Sequence, residues 1–74
     1  DPKSYLQEIS QRVDNQTPIY KVLSEEGPDH DKVFTLGVFV GDNMVGRGIG
    51  PSKQVAQQQA ARAAIAKYKE SGEK

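Results

Sequence analysis

Residues 33–69 read VFTLGVFVGDNMVGRGIGPSKQVAQQQAARAAIAKYK, and the apolar period changes within them from two to that of a helix. From Val33 to Val40, Phe34, Leu36, Val38 and Val40 alternate with Val33, Thr35, Gly37 and Phe39, as in a strand with one fully buried face. Gly41-Asp42-Asn43 supplies a short hairpin turn, so Met44 to Gly48 reads as the returning strand. There Gly46, Gly48 and Gly50 fall at every second position and strip one face of side chains, which predicts a close approach by another element. Pro51-Ser52 ends the irregular stretch. Ser52 is a good N-cap, and the run from Lys53 to about Lys69 lacks Gly and Pro, which predicts a helix. Its Ala56, Ala60, Ala61, Ala64, Ile65 and Tyr68 share one broad arc. So many alanines on the inner side imply tight approach to a sheet or a second helix.

Upstream, Asp1-Pro2 suits an N-cap followed by the first helical position, and Leu6, Ile9 and Val13 recur on one face of a helix running to about Val13. Ser4, Gln7, Glu8 and Gln11 share the opposite quadrant. Residues 14–18 read as a loop. Ile19 to Glu26 reads as a strand with Tyr20, Val22 and Ser24 on one side and Ile19, Lys21 and Leu23 on the other. Gly27-Pro28-Asp29-His30-Asp31 breaks it. The order α-β-β-β-α predicts an α+β domain with two helices packed on one face of a three-stranded antiparallel sheet, over residues 1–69. Residues 70–74 are expected to be a disordered tail.

Composition narrows the functions. The 74 residues, 35% hydrophobic, allow one small core. Without cysteine there is no disulfide framework, thiolate zinc site or thiol nucleophile, and one histidine excludes His-rich metal sites. No apolar run approaches the roughly 18 residues of a membrane span, and the first residues lack the pattern of a secretory signal. The expectation is a soluble, intracellular domain taken from something longer. Net charge is zero, which by itself argues against nucleic acid, but the charge is segregated. Residues 1–42 hold four cations against eight anions, whereas residues 43–69 hold Arg47, Lys53, Arg62, Lys67 and Lys69 and no acid. On charge alone, a solvated helix face and a binding surface both remain open.

Catalytic readings fail by inventory. The glycines before Lys53 do not have phosphate-loop spacing, G-x-G-x-x-G and G-x-S-x-G are absent, and the acids sit mostly in apparent loops rather than in a metal-binding cluster. Binding reads better. Lys53 stands in the first turn of the second helix, where the dipole disfavours a cation by about 0.3 to 1 kcal/mol, and no acid offsets it. An anion docked on the free N–H groups there would make Lys53 its second ligand. A tolerated surface lysine is the alternative. His30 is by default a solvated loop histidine, and Gln7 and Gln11 are ordinary surface residues, yet uncharged donors and acceptors on a helix suit hydroxyls and base edges in a shallow groove.

The motifs DPKSxLQE (Asp1 to Glu8), PxY (Pro18 to Tyr20), GPDH (Gly27 to His30), the FxLxVxV strand and GxGPSKxxA (Gly48 to Ala56), in that order, make the chain resemble the double-stranded RNA-binding domain. The version it resembles is the one at the C-terminus of bacterial ribonuclease III, and Drosha is similar around Gly50 to Ser52. The resemblance implies that Gln7, Glu8 and Gln11 enter one minor groove of A-form RNA and that Pro28, Asp29 and His30 reach the next. Ser52, Lys53 and Gln54 at the second helix's start would then meet the phosphates between, over about 16 base pairs. It also implies a non-catalytic, cytoplasmic module with no cofactor of its own and no membrane partner, monomeric when isolated. The parent would be a homodimer whose separate nuclease domain uses Mg.

One departure stands out. Many members of that family carry basic residues where this chain has Gln54 and Gln57. With only two to four phosphates neutralised, log affinity should fall with log salt at a slope of roughly −2 to −3. Other readings of the same fold are a protein-interaction or dimerisation module, and an RNA-binding domain from a deaminase or helicase.

Overall fold

A computed structural model describes residues 1–72. Helix α1 spans Pro2–Asp14, strands β1, β2 and β3 span Ile19–Glu26, Val33–Val40 and Asn43–Gly50, and helix α2 spans Lys53–Glu70. The strands form one antiparallel sheet in the order β1-β2-β3. The helices share its inner face, where Leu6, Ile9, Val38, Ala60, Ala61, Ala64 and Tyr68 make one core. This is the expected α+β order, with β3 starting one residue earlier and ending two later. Glu70 closes α2 and Ser71 caps it. Residues 73 and 74 of the expected tail lie outside the described residues.

The bare face of β3 receives α2. A β-carbon on Gly48 would stand 2.3 Å from both the Ala56 carbonyl oxygen and the Ala60 nitrogen, and one on Gly46 would stand 2.3 Å from the Ala60 carbonyl oxygen. Ala56, Ala60 and Ala64 present the matching small face and are fully buried. Glycine on the strand and alanine on the helix therefore let two backbones approach almost directly, and close packing comes from the absence of side chains.

Two local readings change. Val13 does not join the core; it is 46% exposed, and Ser10 is fully buried instead. The buried residues of α1 are Leu6, Ile9 and Ser10; burial stops before the last turn, where Asp14, itself exposed, accepts a hydrogen bond from the Tyr68 hydroxyl. Ser10 is tolerated inside because its hydroxyl donates to the Gln16 carbonyl at 2.8 Å, tying down the chain beyond Asn15, whose left-handed φ of 55° ends the helix. In β1, the alternation breaks at a bulge between Val22 and Ser24. Val22 pairs with Leu36 but Ser24 pairs with Thr35, so the extra residue moves Ser24 to the outer face, away from Tyr20 and Val22.

Candidate nucleic-acid interface

On α1, Asp1 caps the helix by accepting from the Lys3 N–H at 3.2 Å, and Pro2 fixes the first turn. Gln7, Glu8 and Gln11 then stand exposed along the outer side. The Gln11 amide donates to the Thr17 hydroxyl at 2.9 Å, which holds its side chain against the loop that follows the helix.

The β1–β2 loop turns at Gly27, whose φ of 99° favours glycine, and the Asp31 N–H donates to the Pro28 carbonyl at 2.9 Å. This tight turn leaves Pro28, Asp29 and His30 exposed. Lys32 lies 3.5 Å from Glu25 and 3.8 Å from Asp29, partly offsetting the acids that crowd the loop.

At the start of α2, Ser52 is extended (φ −143°, ψ 161°) and its hydroxyl accepts from the Val55 N–H at 3.1 Å. Lys53 and Gln54 follow, both exposed, with no acid in the first turn. The Lys53 ammonium lies 5.9 Å from the centroid of the Phe34 ring. Attraction to the ring face offsets part of the unfavourable dipole and holds the cation near the helix start without consuming its charge.

Contacts link the three segments one to the next. Phe34 is the cross-strand partner of Glu25, so the ring under Lys53 lies next to the end of β1 that enters the Gly27 to Asp31 loop. One helical turn beyond Lys53, the Gln57 amide oxygen accepts from the Lys3 ammonium at 2.7 Å, and Lys3 is one turn before Gln7 on α1. The Lys3 ammonium also sits 5.2 Å from the centroid of the Tyr20 ring. Asp1, Lys3, Ser4, Gln7, Pro18 and Tyr20 surround a polar cavity of about 310 Å³ there. Sequence reasoning passed over Lys3. The signal was available, since Lys3 is a lysine in a first turn that contains no acid, as Lys53 is.

The sequence pattern described as the double-stranded RNA binding motif matches residues 2–68. The chain belongs to the double-stranded RNA binding motif family. Ribonuclease 3 of Protochlamydia amoebophila is 49% identical over 65 residues, 88% of this chain and 27% of that protein. Ribonuclease 3 of Moorella thermoacetica is 44% identical over 72 residues, 97% of this chain and 31% of that protein. The domain thus spans under a third of these relatives' length. Among solved structures, Arabidopsis HYL1 superimposes with a TM-score of 0.78 at 30% identity, covering 92% of this domain and 96% of that chain. Dicer from Pichia stipitis gives 0.73 at 30% identity, covering 89% of this domain and 32% of that chain. These likenesses agree with the α-β-β-β-α order built above. Among the described residues, no helix is long and apolar enough to cross a membrane.

Proposed function

We propose that this domain binds double-stranded RNA by the shape of the A-form helix, as the C-terminal module of a ribonuclease III. The observation that carries the contact scheme is the chain of contacts from the His30 loop through Phe34 and Lys53 to Gln57, Lys3 and Gln7, which puts amide, imidazole and carboxylate groups at its two ends and the Lys53 and Lys3 cations between them. Such an order suits two shallow minor grooves flanking a phosphate-lined major groove. Gln7, Glu8 and Gln11 are assigned to 2′-hydroxyls and base edges of one minor groove, and Pro28, Asp29 and His30 to the next. Ser52, Lys53 and Gln54 are assigned to the phosphates between. Glu8, whose carboxylate is an acceptor only, is assigned there to 2′-hydroxyl donors.

In the parent enzyme, the module would hold duplex RNA for a separate Mg-dependent nuclease domain in a cytoplasmic homodimer, where tethering raises effective affinity without new contacts. The test is an NMR titration of the 74-residue domain with a blunt duplex RNA of about 20 base pairs, against duplex DNA of the same sequence, at low and physiological salt. Shifts concentrated at Gln7 to Gln11, Gly27 to Asp31 and Ser52 to Gln54, with RNA only, are expected. No shifts at low salt would overturn the reading and move a protein-interaction role to first place.

A further inference from the structure

We infer that Lys3, on α1, is a phosphate-contacting cation of the interface, held in place by Gln57 and Tyr20; the inference rests on the RNA-binding reading above. Residues four apart on a helix lie one above the other, so Gln57 continues the stripe that begins at Lys53. It carries no charge of its own. Its amide oxygen instead accepts from the Lys3 ammonium at 2.7 Å, which brings a cation from the neighbouring helix to that stripe. A lysine at position 57 would stand against Lys3 with like charge, so a neutral acceptor at 57 and a cation at 3 fit each other.

The Lys3 ammonium meets no carboxylate within ion-pair distance among the described residues, although Asp1 is two residues away. The Asp1 carboxylate is engaged otherwise, accepting from the Lys3 backbone N–H at 3.2 Å and from the Ser4 hydroxyl at 2.8 Å. Gln57 occupies one of the three ammonium N–H groups, and the Tyr20 ring lies 5.2 Å away. The charge is thus oriented but not neutralised. Tyr20 lines the polar cavity beside it, and its hydroxyl is buried with no hydrogen-bond partner among the described residues. A cation fixed by a neutral acceptor and an aromatic face, one turn from Gln7 and beside the Lys53 stripe, is arranged for an anion that spans the two helices. The RNA backbone between the minor groove at Gln7 and the phosphates at Lys53 has that chemistry.

The alternative is that Lys3 only braces α1 against α2, and salt dependence separates the two. Duplex-RNA affinity of the 74-residue domain is measured by fluorescence anisotropy from 50 to 200 mM salt for wild type, Lys3→Met, Gln57→Leu and Lys53→Ala, with thermal melts of each. Methionine retains the stem of Lys3 and removes its charge. Lys3→Met is expected to weaken binding roughly three- to tenfold at low salt and to reduce the log–log slope by about 0.7 to 0.9, the loss of one phosphate contact. Gln57→Leu, which frees the ammonium but keeps its charge, is expected to weaken binding severalfold while the slope stays near that of wild type. A Lys3→Met protein that stays folded but keeps the wild-type slope would overturn the inference and leave Lys3 a brace. In that case Lys53→Ala would still lower the slope. Absence of duplex-RNA binding by wild type would overturn the underlying reading itself.

Discussion

At Gly48 the conflict is between one added carbon and two backbone atoms that cannot step aside. Gly48→Ala places its β-carbon 2.3 Å from the Ala56 oxygen and the Ala60 nitrogen, so β3 and α2 must separate along their closest contact. A loss of about 3 kcal/mol or more is expected, enough to unfold much of so small a domain, read by urea denaturation. Tyr68 gives a second residue-scale prediction. Burial, then the hydrogen bond to Asp14 and the repulsion from its carboxylate, push the Tyr68 hydroxyl up to about 12 from its usual 10.0. Burial raises Tyr20 as well. A raised folded-state value means that this stabilisation is complete below pH 10 and is lost as pH climbs from 10 toward 12. Solvent screening at the part-buried hydroxyl keeps the loss for Tyr68 below the full value of the shift, at about 1 to 2 kcal/mol. Tyr68→Phe keeps the buried ring, is expected to cost about 1 kcal/mol at neutral pH, and should flatten this alkaline loss in melts between pH 9 and 12. The pairing of Tyr68 with Asp14 crosses 54 positions, and no local pattern announces it.

The elements were legible because their periods are clean. Alternation marked β2, the glycines marked the face of β3 that meets α2, and Ser52 marked the helix start. The places where the reading failed are those where one element is finished by another. The periodicity of α1 puts Val13 inward, but the core covers Leu6, Ile9 and Ser10 and stops short of the last turn, so a serine is buried and a valine is left out. Ser10→Ala is expected to cost about 1 kcal/mol in a chemical denaturation curve, because the Gln16 carbonyl loses its donor. Hydrogen exchange should also become faster at Gln16 and Thr17 than elsewhere. The bulge in β1 was equally hidden, since register is chosen by the partner strand: Ser24 faces outward only because it pairs with Thr35.

For the whole molecule, the zero net charge predicts no long-range attraction to RNA, and binding must come from local arrangement. The body extends 40 × 21 × 18 Å, long enough to lie across successive grooves of a duplex. With few cations on the proposed interface, log affinity should fall with log salt at a slope of roughly −2 to −3. Lys53→Ala combined with Gln7→Ala should reduce duplex affinity by about tenfold or more while the circular dichroism spectrum is retained, and normal binding by a folded double variant would sink the site assignment.

The candidate site divides in the same way as the fold. Sequence alone determined the element order, the glycine–alanine contact, the capped start of α2 and the polar types available at Gln7, Gln11, His30 and Lys53, because each depends on neighbours within a few residues or on strict periods. Only the tertiary structure decided that Lys53 rests over Phe34, that Lys3 bonds Gln57, and that these contacts connect the three exposed segments. Those are contacts between residues up to 54 positions apart, fixed by how α1, α2 and the sheet pack together.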